Sequence, residues 1–365
     1  MDLLLKEIRR NPLLWLLAFV PVIFIAEQVW ADSPTVLFVL SILAIVPLAG
    51  LSSHATESVA AKTGDAIGGM LNATLGNLTE LIIAVSALRA GEYMLTKATM
   101  TGAIVTKSLF VLGASFLLGG LKHHVQDFNR AGARLQAGQL FLATVALLIP
   151  SAVGAADAVR AGAFTQKLSL MLAIVLISIY GLGLLFTLKT HKEFFASAEQ
   201  HGEKGAVPWP VGLALGTLVG VTVLTALISE VFVASMQEAA RTLGMTDAFV
   251  GFVIVALVGG IPEMAAAFSG ARRNRLDLSV GVALGSATQI AVCVVPVLVL
   301  LSYVIGPSPM TLQFWPGAVV MMLIATVTAT FITNGGRSAW FIGVLLIGVY
   351  LTFAITLYLL PPRVH

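Results

Sequence analysis

The sequence predicts an all-α integral membrane protein. Composition is the first reason: the chain is 58% hydrophobic and 11% charged, with a mean hydropathy of +0.96. Ordinary soluble domains carry about 25% charged residues. The second reason is the recurrence, from end to end, of apolar runs of about 20 residues, the length that crosses a hydrocarbon core. The third is a pair of glutamates, Glu80 and Glu263, each inside such a run and about half a chain apart. That spacing predicts a duplicated unit contributing one carboxylate per copy.

In order, the runs are 13–30, 34–55, 66–88, 96–121, 137–155, 167–188, 209–234, 248–271, 276–304, 312–333 and 338–361, about eleven transmembrane helices. The first follows Lys6-Glu7-Ile8-Arg9-Arg10, as a signal peptide would. No convincing small-x-small cleavage site comes after it, and Glu27 and Asp32 close the run, so an uncleaved N-terminal helix is expected over 1–33. Residues 34–188 and 209–365 then read as two five-helix repeats, joined by a cytoplasmic linker over 189–208. In the linker His191, Lys192, Glu193, Glu199, His201, Glu203 and Lys204 nearly balance in charge, which predicts a solvated connector. An odd number of spans turns the second copy over. Inverted repeats that meet around a substrate are a recurrent transporter design.

The net charge of +3 is not a nucleic-acid signal, because the basic residues punctuate the spans. They crowd one side, where Lys6, Arg9, Arg10, Arg272, Arg273 and Arg275 all fall, so the positive-inside rule places the N-terminus in the cytoplasm and the protein in the plasma (inner) membrane. Arg272, Arg273 and Arg275 suit lipid headgroups, and His123 and His124 read as loop residues. Cys293 is the single cysteine, which excludes disulfides within the chain and cysteine zinc sites. No His-Glu-x-x-His helix or Gly-x-Ser-x-Gly elbow is present, which argues against an intramembrane enzyme. No cofactor is expected. The partners expected are the bilayer, protons, and calcium or a monovalent cation. The sequence does not fix the oligomeric state, and a homo-oligomer is compatible with it.

The candidate site is built on the two glutamates. A charge at the bilayer centre costs roughly 2.5–3.5 kcal/mol on insertion scales, so such residues mark ion or proton paths. Glu80 stands in Gly76-Asn77-Leu78-Thr79-Glu80 and Glu263 in Gly259-Gly260-Ile261-Pro262-Glu263. Superposing the two places Gly76 on Gly259, Gly102 on Gly285 and Thr106 on Gln289. Glycine lowers the cost of leaving the helix, and Pro262 has no N–H to offer the preceding turn. Broken helices at the midplane are therefore expected, with carbonyl oxygens freed around Gly76, Asn77, Gly259 and Gly260. Together with carboxylates and the side-chain oxygens of Asn77 and Thr79, these form the hard oxygen set that calcium prefers. Buried, closely spaced carboxylates also favour protonation. Cation and proton would then compete for the same oxygens, which is antiport rather than passive channel chemistry.

Lys107 is the least expected residue, an ammonium near mid-span that needs a partner or a route to water. Pairing with Glu80 or Glu263, snorkelling, and a place in the ion pocket are all open readings. Glu230, within run 209–234, reads as a proton-access or gating group or as a hydrogen-bonded structural carboxyl. His54 and Glu57, three apart near the end of the second run, read as a metal-binding or proton-relay pair or as a solvated helix end.

Two long segments carry a family resemblance. Residues 71–88, LNATLGNLTELIIAVSAL, resemble the first signature of the cation/proton exchanger family within the calcium/cation antiporter superfamily. Residues 281–300, GVALGSATQIAVCVVPVLVL, resemble the segment after its second signature. The likeness extends over nearly the whole chain. It implies eleven spans, inverted repeats, and calcium leaving the cytosol in exchange for protons, with the ion between the residues matching Glu80 and Glu263. It also implies that Ser286, Gln289 and the pair Thr106-Lys107 line the cavity. Three positions depart from the pattern. Gly260 replaces a signature Asn, Met264 replaces a His, and Lys107 replaces a pocket Asn. The Pro262-Glu263 pairing resembles a bacterial branch associated with sodium or potassium as well as calcium, so a sodium or potassium/proton antiporter is the alternative.

Overall fold

A computed structural model describes residues 7–9, 11–63, 65–156, 161–190 and 209–359. Among these residues, nine helices are long and apolar enough to cross a membrane, from Pro12–Val29 to Trp340–Leu359. The pair Asp247–Gly259 and Ile261–Arg272, bent by 60° at Gly260, makes a tenth when taken as one broken span. The expected run 66–88 is likewise divided, into Asp65–Leu75 and Leu78–Arg89. The first break falls at Gly76-Asn77 and the second at Gly260, residues of low helix propensity. The expected linker lies outside the described residues except for Lys189 and Thr190, which close a π-helical turn, Phe186–Thr190.

The chain forms two compact units, and each draws on both expected repeats. The first comprises 1–99, 205–262 and 358–365. Its centre is the 27-residue helix Pro34–Ala60 packed along Val211–Thr242. Proline suits the first position of a helix, where its missing N–H has no partner to lose. Burial of Pro34–Ala60 is not confined to one face: Ala44 to Ala49 are buried in succession, so the middle of this helix is enclosed on all sides, as expected of a helix that is apolar all round. Phe38 stacks on Phe232 at 5.2 Å. Gly251 lets its helix approach 95–99 closely; a Cβ there would stand 2.7 Å from that of Ala98.

The second unit comprises 100–204 and 263–357. In it Arg130–Ala156 packs on Pro316–Thr333 and on Leu276–Gln289, and Ala161–Leu185 packs on Val295–Ile305. Gly113 permits close approach to Trp340–Leu359: a Cβ would lie 2.8 Å from Leu346 Cβ and 3.0 Å from the Gly343 carbonyl. A short antiparallel pair, Val125–Asp127 with Arg337–Ala339, adds a two-stranded sheet to an otherwise helical fold. The loop reading holds for His124, the bend between helix and strand, but not for His123. His123 ends the helix Leu112–His123, and His124 caps it with φ 62°. His123 Nε2 lies 3.1 Å from the Arg272 carbonyl, and Lys122 Nζ donates to the same oxygen at 3.1 Å. Gln126 donates to the Ala271 carbonyl and to Asn274 Oδ1. Together these contacts satisfy the carbonyls that a helix C-terminus leaves open.

Candidate functional site

In the first unit the site is built at the break between Asp65–Leu75 and Leu78–Arg89. Gly76 donates to the Asn72 carbonyl at 2.9 Å, and a Cβ on Gly76 would stand 2.7 Å from that oxygen. The next helix restarts at Leu78 with Asn77 in the cap position, buried, and its side chain makes no capping bond. Glu80 follows in the first turn of Leu78–Arg89, where the positive end of the helix dipole favours an anion. Its side chain is completely buried, with 0% exposure, and Thr79 beside it is buried as well. Gly259, from the other repeat, lies against it: a Cβ there would come within 2.7 Å of Glu80 Cγ and 3.2 Å of Cδ. Gly76, Asn77, Thr79, Glu80, Gly259 and Gly260 all belong to this unit.

In the second unit the candidate residues lie on a helical hairpin. Ile261–Arg272 and Leu276–Gln289 are joined by a tight turn in which Asn274 takes φ 57°. Ser279 Oγ donates to the Ala267 carbonyl at 2.6 Å and ties the two helices together. Glu263 and Ser286 lie similar distances along the chain from that turn. With a constant rise per residue they therefore reach similar depth. Lys107 joins them. Its Nζ donates to Glu263 Oε1 at 3.2 Å and to Ser286 Oγ at 2.7 Å. The lysine side chain is 1% exposed and that of Glu263 14%, so the ammonium is held inside the protein and does not snorkel. Thr106 donates to the Tyr350 hydroxyl at 3.3 Å. Gln289 ends the helix Leu276–Gln289 and is partly buried.

Sequence reasoning missed the backbone form at these positions. Lys107 stands in a π-helical segment, Thr106–Val111, and Gln289 immediately precedes another, Ile290–Val294. Single π turns are rare and often mark functional sites. No residue type in these segments announces them. Among the described residues, no group of three or more His, Cys, Asp and Glu side chains converges.

The remaining candidates lie elsewhere in the first unit. Glu230 is 54% exposed and pairs with Arg89 at 3.0 Å, whereas Thr225 and Ser229 on the same helix are buried. His54 meets the Trp209 ring edge-on at 4.5 Å, and Glu57 accepts from Ser53 Oγ at 3.2 Å.

A many-span helical membrane protein with interrupted helices, a carboxylate buried beside one interruption and a second, partly buried, beside the other belongs to the class of integral membrane exchangers. More narrowly, the chain belongs to the sodium/calcium exchanger protein family, whose profile matches residues 33–189 and again 213–359. It is 37% identical to the Ca(2+)/H(+) antiporter of Aphanothece halophytica, over 95% of this chain and 96% of that one. It is 38% identical to the Ca(2+)/H(+) antiporter ChaA of Bacillus subtilis, over 89% and 92%. The solved structure of native YfkE superposes with a TM-score of 0.83 at 34% identity, covering 96% of this chain and all of that one.

Proposed function

We propose that the protein is a secondary cation/proton antiporter, not an enzyme, that exports cytosolic calcium in exchange for protons. Glu80 and Glu263 are the carboxylates that take the cation and the proton in turn. Carbonyl oxygens at Gly76, Asn77, Gly259 and Gly260 supply further hard ligands, and Thr79, Thr106, Lys107, Ser286 and Gln289 line the path. The observation that carries this reading is the burial of Glu80 at a helix break, against the glycine that opens the break of the other repeat. A fully buried carboxylate is costly unless charge is supplied to it. A cation and a proton are two ways to supply it, and because they use the same oxygens they exclude each other. The names of the relatives at 37% and 38% identity favour calcium.

The two stretches matched by the family profile support the plan of two repeats after an N-terminal helix, joined by a linker. The excess of basic residues on one side supports a cytoplasmic N-terminus in the inner membrane. Glu230, His54 and Glu57 are proposed as proton-access groups on their sequence positions; Glu230 is exposed and paired with Arg89.

The test is reconstitution in proteoliposomes with an imposed pH gradient. Calcium uptake should follow the gradient and stop when it is collapsed. Uptake indifferent to the gradient would describe a channel and overturn the proposal.

A further inference from the structure

We propose that Lys107 is a tethered cation that sets the ion preference at Glu263; this rests on the antiport reading above. The ammonium contacts one carboxylate oxygen of Glu263 and the hydroxyl of Ser286, and the side chain is buried. It therefore occupies a coordination position beside Glu263 that a transported cation would otherwise fill. The Lys107–Glu263 pair is neutral as it stands. A cation arriving at Glu263 meets an ammonium within contact range of the same carboxylate. That repulsion scales with the charge of the newcomer, so it is twice as large for calcium as for sodium or potassium.

A purely structural role explains the arrangement poorly. Replacing a buried ion pair with apolar side chains is often neutral or stabilising, and a lysine at depth in a bilayer is expensive to insert. Lys107 is also carried on a π-helical turn, Thr106–Val111, a local distortion that aims the side chain differently from a regular helix. Ser286 holds the ammonium in place, and it is fixed in turn by the Ser279–Ala267 tie within its hairpin.

Ion competition in proteoliposomes under a fixed pH gradient tests this. Calcium, sodium and potassium uptake are measured for the wild-type chain and for Lys107→Met, Lys107→Asn and Lys107→Arg. The apolar and amide variants should lower the KM for calcium by about tenfold or more and change the monovalent KM values less, because a unit charge has left the carboxylate. Their preference for calcium over sodium and potassium should rise, while Lys107→Arg keeps the wild-type preference. Lys107→Gln, which retains an uncharged donor for Glu263 and Ser286, covers the case in which the apolar variant does not accumulate. An unchanged preference in the neutral variants overturns the tethered cation, and so does a Lys107→Arg preference shifted as far as theirs. Both outcomes leave antiport standing if the wild type exchanges. Absence of gradient-driven uptake of all three cations by the wild type would overturn the antiport reading itself.

Discussion

Glu80 lies against Gly259, so closely that a single methyl group on the glycine would stand 2.7 Å from the glutamate's Cγ. The first repeat provides the carboxylate and the second provides the space for it. The glycine serves close packing as well as the helix break. This contact makes the two signature segments interdependent.

Glu80→Gln should abolish cation exchange while the protein still inserts and purifies. The amide keeps the size of the carboxyl group but can neither carry the charge nor exchange the proton. Uptake in proteoliposomes and the yield of folded protein are the two measurements. Normal exchange in this variant would remove Glu80 from the site.

Gly259→Ala should be nearly as damaging as the loss of the carboxylate. Overpacking at a well-filled position typically costs about 1–3 kcal/mol, and here the atoms that must move belong to Glu80. We expect a sharply reduced uptake rate together with a lowered Tm in detergent. Gly260→Ala, one residue along the chain, serves as the comparison.

Breaking the Lys107–Glu263 pair from one side should destabilise the protein more than removing both charges. Leaving one partner of a buried pair uncompensated costs about 3–5 kcal/mol. Glu263→Gln alone should therefore lower the Tm more than the double variant Lys107→Met, Glu263→Gln. Additive losses in this cycle would show that the two groups are not energetically coupled.

The Arg337–Asp127 pair should matter little. Its N···O distance is 2.6 Å, but both side chains are largely exposed, and exposed pairs are worth about 0–1 kcal/mol. Asp127→Asn should leave transport intact and shift the Tm only slightly, with the small difference vanishing at high salt. The strand pairing of Gln126 with Ser338, which uses backbone groups, should persist.

Much of the architecture was legible in the sequence because the bilayer is a demanding solvent. Apolar runs must be helices there, and clusters of glycine, asparagine and proline are where such a helix can break, although Pro47 and Pro150 stay inside continuous helices. The breaks at Gly76-Asn77 and Gly260 fall where the residue types indicated. The intramembrane carboxylates were equally readable, since few residues are so costly in that environment. Lys107 stood out for the same reason, but its partner did not, because a lysine side chain reaches several neighbours from one backbone position.

By itself, then, the sequence determined the helical membrane class, the twofold plan, the sites of the helix breaks and the identities of the charged groups at depth. These follow from local composition and from solvation. Tertiary structure alone decided that Gly259 faces Glu80, that Lys107 is held by Glu263 and Ser286, that Glu230 turns outward to Arg89, and that helix segments at Lys107 and after Gln289 wind as π turns. Those facts depend on which helix faces meet across long stretches of chain. Hydropathy carries little such information within a membrane, where lipid-facing and protein-facing surfaces are both apolar.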